Sequence, residues 1–394
     1  MRILILSFYY EPDLCAGSFR CTALVKQLLE KDENCTVDVV STLPNRYASF
    51  SAKALKFEQR ERLKIHRVEL PTHKSGMFDQ AKSFVRYYIE AIKLTRNNDY
   101  DLVFATSSRL FTAFLGKRIA SKKKLPLYLD IRDIFVDTLN NILSKKISFV
   151  SSPILRVIEN YTFKGANKIN LVSKGFLSYF ENKYPNVEYD FFTNGIDNEF
   201  IQTQNGKEFL SKSMSDVKTI LYAGNLGEGQ GLHRIIPQLA SRLGDEFKIQ
   251  IIGDGGRKSD LIEALEKFNV RNVQLLPPVS RTKLIEYYQN ADVLFLHLND
   301  YDAFKKVLPS KIFEYATFNK PILAGVSGFS AKFIKNNVTN AEVFHSCDAE
   351  NAVKMLKVLN YNCEYRSDFV EKYLRENIMN KMSKSILSIA KACD

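Results

Sequence analysis

Short apolar runs alternate along the chain with longer stretches in which apolar positions recur every three or four residues. In the first half the runs are "RILILSF", "CTVDVVST", "LKIHRVEL", "DLVFATS", "LPLYLDIRD", "KINLVS" and "VEYDFFTNG". Helical spacing fills residues 17 to 31, 78 to 96, 110 to 121 and 174 to 183 between them. After a polar stretch, "QTQNGKEFLSKSMSDV", the alternation restarts with "KTILYAGNLG", "FKIQIIGDGG", "VQLLPPVS", "ADVLFLHL" and "KPILAGVS", with helical spacing at 230–243, 258–268, 281–290, 309–318 and 330–336. Strands separated by helices imply crossover units and a parallel sheet. The pattern therefore predicts an α/β protein of two doubly wound, Rossmann-like domains, residues 1–200 and 218–364, joined by a linker over 201–217. Residues 365–394 read as helices that cross back to the first domain. Open parallel sheets bind ligands at the carboxyl ends of their strands, so two such domains are expected to face a cleft.

Composition narrows the partners. The 394 residues are too many for one ordinary core. An excess of 56 Lys+Arg over 44 Asp+Glu gives a net charge of +12, which favours anionic partners. Nucleic acid is disfavoured, because no basic stretch carries the aromatic interleaving of a strand-binding platform. The six cysteines, Cys15, Cys21, Cys35, Cys347, Cys363 and Cys393, form no C-x-x-C pair, so neither a zinc site nor a disulfide framework is indicated and a reducing cytoplasm fits. The opening "MRILILSFYYEPD" has a short apolar run, meets Glu11 and lacks a small-residue cleavage site, so it reads as a first buried strand. No apolar stretch approaches the roughly 18–20 residues of a membrane span.

Five stretches carry candidate chemistry. In "YAGNLGEGQGL", Gly224, Gly227, Gly229 and Gly231 leave backbone amides open between a strand and a helix, which suits a phosphate, although such glycines also serve tight turns alone. "IIGDGGRKSDL" is a second glycine turn, with Gly253 and Gly255 followed by Arg257 and Lys258; it departs from the dinucleotide fingerprint, so a nicotinamide enzyme is not expected. "LYLDIRDIFVDT" places Asp130, Arg132 and Asp133 at a strand end, either in a site or as an ion pair with a helix cap. "YYEPDLCAGSFR" brings Gly17, Ser18 and Arg20 to a helix entrance, where Ser18 either meets an anion or caps the helix. In "VLPSKIFEYATFNKPILAG" the carboxylate of Glu314 sits among apolar neighbours, where an acid needs a partner. A pair of ligand hydroxyls, such as those of a ribose, would supply one, and Ser310 and Lys311 would meet the phosphates.

Together these stretches, with "FFTNGID" and "ADVLFLHL", resemble glycosyltransferase family 4, the retaining nucleotide-sugar transferases of GT-B fold. They fall in family order over most of the chain, and the form Pro-Ser-Lys-Ile-Phe-Glu-Tyr is most similar to bacterial transferases of O-antigen and capsule assembly, N-acetylfucosamine transferases among them. The resemblance implies that Glu314 binds the ribose hydroxyls and that Leu308, Pro309 and Ser310 lie along the pyrophosphate. Gly224, Asn225, Gly227, Gly253, Gly255 and Arg257 would complete the donor site, with Gly17 near the donor phosphate. Arg132 and Asp133 would stand in the place of the family's His-Asp pair, with Lys311 beside them in catalysis. Ser18, Arg20 and Asp130 would face the acceptor, and Asn194-Gly195 would lie in the hinge-side loop.

Two departures from the family stand out. Lys306 stands where many members carry an acid, and Asn225 and Gln230 stand where Arg and Lys are common, for which Lys311 with Arg257 or Lys305 is the expected substitute. The expected reaction is retaining transfer from a nucleoside diphosphate sugar, UDP-linked by family habit, without a metal or other cofactor, since no carboxylate pair or Asp-x-Asp site is evident. The expected acceptor is a polyprenyl-diphosphate-linked sugar. The protein would then be cytoplasmic and peripheral on the inner face of a bacterial cytoplasmic membrane, held there by the basic stretch "GKRIASKKK" and the mixed apolar and cationic "SKKISFVSSPILRVIENYTFK"; a solvated basic surface beside a core helix is the plainer account of the same residues. Two other functions share the architecture: a non-catalytic nucleotide-binding partner subunit, and a sugar-nucleotide epimerase, for which His233, His297 and His345 are the second-domain candidates.

Overall fold

The computed structural model describes residues 1–45, 53–71, 77–107, 110–134, 145–202 and 217–391. The chain forms two compact units, Met1–Asn194 together with Arg375–Asp394, and Gly195–Leu374.

In the first unit the strands are β1 (Arg2–Leu6), β2 (Thr36–Thr42), β3 (Phe57–Arg60), β4 (Leu63–Val68), β5 (Leu102–Ser107), β6 (Leu127–Ile131), β7 (Lys168–Leu171) and β8 (Glu188–Asp190). They lie in the order β3-β4-β2-β1-β5-β6-β7-β8, and every pairing is parallel except β3 with β4. Ile3, Leu4, Ile5 and Leu6 are wholly buried, as a strand covered on both faces requires. The helix Ala16–Lys31 buries Leu24, Val25 and Leu28, and the helix Arg375–Lys391 packs on it with Met379, Met382 and Ile386 inward.

The second unit contains β9 (Lys218–Ala223), β10 (Phe247–Ile252), β11 (Val273–Leu276), β12 (Val293–His297), β13 (Ile322–Gly325) and β14 (Ala341–Phe344). The order β11-β10-β9-β12-β13-β14 is entirely parallel and reverses at β9, the arrangement of a dinucleotide-binding fold. Successive side chains of β9 point to opposite faces. Ile220 and Tyr222 pack with Leu232, Ile235 and Leu239, whereas Leu221 and Ala223 pack with Ile312, Phe313 and Tyr315.

The unit boundary differs from the expected one. The chain enters the second unit at Gly195 rather than after residue 200, because Ile196 pairs with Leu374 and Phe200 packs its ring against Tyr288 and Phe318. Asn198–Gln202 is helical, and residues 203–216 of the expected linker lie outside the described residues. The return to the first unit begins at Arg375, so the helix Ser367–Lys372, expected to cross back, stays with the second unit. Among the described residues, further elements have no counterpart in the apolar pattern: the edge strand β3, which is polar, the short β14, and the helices Lys145–Lys164 and Ala349–Val358. No helix among the described residues is long and apolar enough to cross a membrane.

Arg366 holds the second unit's loops together. Its guanidinium donates to the carbonyls of Phe318 at 2.7 Å, Thr339 at 2.8 Å, Lys320 at 3.0 Å and Asn340 at 3.1 Å. Burial pulls its pKa down to about 10, which still leaves it charged at neutral pH. Replacing it by leucine strands several carbonyls in a site 6% exposed. Arg366→Leu is expected to lower the unfolding free energy by about 2–4 kcal/mol in urea titrations, and Arg366→Lys is expected to recover little, because an ammonium cannot reproduce the planar fork.

Candidate active site

The second unit brings its glycine loops to the switch point, at the carboxyl ends of β9 and β12. The loop after β9 and the loop after β10 lie against each other: Gly224 N–H donates to Ile252 O at 2.9 Å, Leu226 N–H to Asp254 O at 2.9 Å and Arg257 N–H to Leu226 O at 2.8 Å. Gly253 is obligatory here, since with φ at 153° a Cβ on it would fall 1.9 Å from Gly224 O. Gly231, at φ 59°, supplies the left-handed turn that opens the helix Leu232–Leu243. Asn225 Nδ2 donates to Gln230 Oε1 at 2.9 Å, so the two residues that replace the expected basic pair are bonded to each other.

Asn299, just past β12, joins this loop to the next. Its backbone N–H donates to Gly229 O at 2.9 Å, its Nδ2 to Glu228 O at 2.8 Å, and its Oδ1 accepts from Arg234 at 2.7 Å. Glu228 accepts from the Tyr301 hydroxyl at 2.7 Å and from Arg257 Nε at 2.5 Å. Burial pushes the Glu228 carboxyl up, but these two bonds outweigh it and hold it below the ordinary range. Arg257 also donates to Asp260 at 2.6 Å. The Arg257 guanidinium, expected at a phosphate, is shared between these two acids and holds the loop.

Glu314 has its partners within the protein. The Lys311 ammonium donates to Glu314 Oε2 at 2.6 Å and to the Tyr288 hydroxyl at 2.9 Å, and that hydroxyl donates on to Glu314 Oε2 at 3.3 Å. Burial and the Glu314 carboxylate push the Tyr288 phenol well above its ordinary pKa, which keeps it a neutral donor. Both members of the ion pair keep an open side, with side chains 23% and 16% exposed. The short helix Lys311–Tyr315 is fixed beneath them by Ile312 and Phe313, wholly buried, and by Tyr315, whose phenol oxygen accepts from Ala223 N–H at the end of β9. Leu308 is buried, and the Ser330 hydroxyl donates to Val307 O, anchoring the approach to Pro309 and Ser310.

His297 is structural. Its Nδ1 donates to Gln230 O at 2.6 Å and its Nε2 accepts from Cys347 N–H at 2.9 Å, which sets the neutral tautomer. Burial pulls its pKa down to about 4.

In the first unit the order reverses at β1. Gly17 stands one residue inside the helix Ala16–Lys31, and a Cβ there would fall on the guanidinium of Arg132, which comes from the loop after β6. Arg132 is half-buried and Asp133 exposed, so the structure does bring Gly17 and Arg132 together at one strand-end site. Arg20 and Asp130 are placed otherwise. Their side chains pair at 2.9 and 3.0 Å with each only 2% exposed, and Arg20 also donates to Thr193 O at 2.6 Å and Phe192 O at 2.8 Å. Asn170 Nδ2 adds a bond to Asp130 at 2.7 Å. The structure places this pair, expected to face an acceptor, as an internal brace. Ser18 is buried as well, and the N-cap position of the helix is Cys15, so Ser18 does not cap it.

Residues 207–374 match the family model described as glycosyl transferases group 1. The match covers 168 of the 394 residues. That span ends at the last residue of the second unit. Over 96 residues, 24% of this chain, it is 40% identical to WcaI of Escherichia coli (strain K12), a protein assigned to colanic acid biosynthesis as a glycosyl transferase; the match spans 23% of that relative's length. Among solved structures the chain is similar to sucrose-phosphate synthase of Thermosynechococcus elongatus, at TM-score 0.69 and 11% identity over 100% of this chain and 97% of that one. It is also similar to HepE of Anabaena in complex with UDP and glucose, at 0.63 and 13% over 100% and 98%. A third is WaaG, a glycosyltransferase involved in lipopolysaccharide biosynthesis, at 0.62 and 14% over 99% and 98%. At these identities the likeness speaks for the fold alone, and the expected GT-B class is borne out.

Tyr288, Asn299 and Tyr301 belong to the site and carry no motif of their own; each lies far in sequence from the group it holds, and none sits beside a glycine turn. Glu228 lies inside the first glycine loop, between Gly227 and Gly229, but its bonds to Tyr301 and Arg257 depend on partners distant in the chain. His297 yields a pH prediction. A folded-state pKa near 4, against 6.5 for an exposed imidazole, means that its contribution is complete above pH 6.5 and is lost as pH falls through about 4. Denaturant titrations at pH 7 and pH 4 should show wild type losing about 3 kcal/mol more than His297→Asn over that interval.

Proposed function

We propose that the protein is a retaining glycosyltransferase that moves a sugar from a UDP-sugar to a lipid-linked saccharide acceptor, in O-antigen or capsule assembly. The observation that carries this reading is the Lys311-Tyr288-Glu314 cluster, an oriented and partly open carboxylate held at the end of the switch-point strand. A ribose presents two vicinal hydroxyl donors, and one ionised carboxylate accepts both. The segment Leu308-Pro309-Ser310 leads into that carboxylate, so a pyrophosphate would run along it with Gly224, Asn225, Gly227, Gly253 and Gly255 lining the neighbouring loops. The UDP complexes of HepE support the choice of base, and the likeness to WcaI supports polysaccharide assembly.

In the proposed reaction the acceptor hydroxyl oxygen bonds to the anomeric carbon on the face from which the β-phosphate leaves. The bond from that carbon to the phosphate oxygen breaks, and the hydroxyl proton passes to the departing phosphate. Lys311 compensates the charge that develops there, and Arg132 and Asp133 belong to the reaction centre. No metal is required on this reading. The acceptor is a polyprenyl-diphosphate-linked sugar at the cytoplasmic membrane face, consistent with the basic charge of the chain.

Mass spectrometry of the protein incubated with UDP-, GDP- and dTDP-sugars and a synthetic polyprenyl-diphosphate-sugar should show a product heavier by one sugar, formed equally in EDTA. Glu314→Ala is expected to raise the donor KM roughly 30- to 100-fold, the equivalent of one charge-assisted hydrogen-bond pair. A strict Mg²⁺ requirement would overturn the metal-free step. Nucleotide binding without turnover of any donor would favour a non-catalytic partner subunit, the reading to which Lys306 and the mutually bonded Asn225 and Gln230 point.

A further inference from the structure

Between the helix Ala16–Lys31 and the hairpin of β3 and β4, the first unit holds a cavity of about 570 Å³ that the proposed transfer does not use. That volume falls within the roughly 300–1,000 Å³ of small-molecule sites. Val25, Leu29 and Leu63 give it an apolar floor. Its rim carries both signs of charge, Lys26, Arg60 and Arg62 against Glu11 and Glu61. The walls are tied to each other from within the protein. Arg60 donates to the Glu11 carboxylate at 2.9 Å, joining the hairpin to the loop after β1. Arg67 donates to Glu11 O at 2.9 Å and to the Glu58 carboxylate at 3.0 Å, and Arg62 donates to Asp32 O at 2.9 Å. Walls fixed in this way are in place before anything enters, so a ligand spends little on ordering them.

Two hydroxyls in the lining are left over. Tyr10 is only 2% exposed, and among the described residues its hydroxyl forms no hydrogen bond. Burial, with Cys21 and Glu11 adding to it, pushes this phenol well above its ordinary pKa and keeps it a neutral O–H. Thr22 lines the same cavity, and its buried Oγ1 has no partner either. A buried hydroxyl without a partner is unfavourable, and a ligand hydroxyl would relieve it. The rim charges select the class of ligand. A phosphate would face Glu11 and Glu61, and a cation would face Lys26 and Arg62. A neutral ring with C–H groups on its face and hydroxyls at its edge meets neither conflict, since each hydroxyl donates and accepts as Tyr10 and Thr22 do. That description is a sugar ring.

The cavity lies on the β4 side of β1, whereas Arg132 comes from the loop after β6 on the other side. β4 and β6 are four strand spacings apart, roughly 19 Å. It is therefore distinct from the strand-end site of Gly17 and Arg132, although the loop after β1 borders both, carrying Tyr10 and leading into the helix at Gly17.

We infer that this cavity binds a neutral sugar unit, with Tyr10 and Thr22 bonded to its hydroxyls and Val25, Leu29 and Leu63 against its C–H face, and that this unit belongs to the acceptor saccharide at a distance from the unit that reacts. The second half rests on the proposed function; the first is tested by binding alone. Methyl glycosides of glucose, galactose, mannose and N-acetylglucosamine are titrated into the full chain with UDP in excess, followed by saturation-transfer NMR and calorimetry. At least one should bind wild type, and Tyr10→Phe and Thr22→Val, which keep the shape and remove one oxygen each, should each weaken it roughly 5- to 10-fold. Binding of no glycoside, or equal binding by the variants, would overturn the site. Displacement of the glycoside by inorganic phosphate would overturn the neutral sugar in favour of an anion. In transfer assays Tyr10→Phe is expected to raise the KM of an acceptor of several sugars without lowering kcat; an equal rise for a one-sugar acceptor would overturn the remote placement. If wild type transfers no sugar at all, the proposed function fails and the glycoside titration still decides the cavity.

Discussion

A parallel strand buried on both faces can show polar groups only at its ends, and that constraint organises both units. β1, β5, β6, β9 and β12 have interiors that are chiefly apolar and aromatic, with next to no exposure. Whatever chemistry the chain performs must be carried by the loops that leave them, and the loops must be held by something other than the sheet. In the second unit the holding is done by Asn299, Arg366, His297 and Tyr315, each bonded to backbone that lies far from it in sequence. In the first, the ion pair of Arg20 with Asp130 holds the carbonyls of Phe192 and Thr193, and Arg67 holds those of Glu11 and Leu55.

The two ion pairs at the strand ends illustrate opposite uses of charge. Arg20 and Asp130 are fully enclosed, and removing one partner of such a pair typically costs about 3–5 kcal/mol because the other charge is then buried alone. Such a pair is a fixture. Lys311 and Glu314 retain access to solvent on one side, so their attraction is screened and weaker. A ligand that offers hydroxyls to the carboxylate and phosphate to the ammonium can take over part of each charge without leaving either one bare. The difference between the pairs is only depth, yet it separates a brace from a binding group.

Much of this was legible in the sequence. The alternation of apolar runs and helical stretches locates nearly all of the strands, because a strand covered on both faces has no choice but to be apolar throughout. The glycine turns were legible for the same kind of reason: at Gly253 and Gly231 no other residue fits. Glu314 announced itself as an acid among apolar neighbours. What stayed hidden were the residues whose role depends on partners distant in the chain. Nothing in "LYLDIRD" distinguishes Asp130, bonded inward to Arg20, from Asp133, which faces solvent three residues on. Ser18 reads as a cap beside Gly17, but the helix begins at Ala16, which turns the hydroxyl inward. β3 was missed because an edge strand can afford the polar sequence Phe-Glu-Gln-Arg.

The return of the chain at Arg375 has a consequence for biosynthesis. The second unit is in effect an insertion within the first, so the helix Arg375–Lys391 leaves the ribosome after every strand of both sheets. Until it does, the face of the helix Ala16–Lys31 on which it packs has no cover, while Gly195–Leu374 already holds every strand of its own sheet. Domains generally fold as units during synthesis. The order of maturation is thus the reverse of the order of translation, the inserted unit closing first and the unit begun earlier waiting, its apolar helix face bare, for the returning helix.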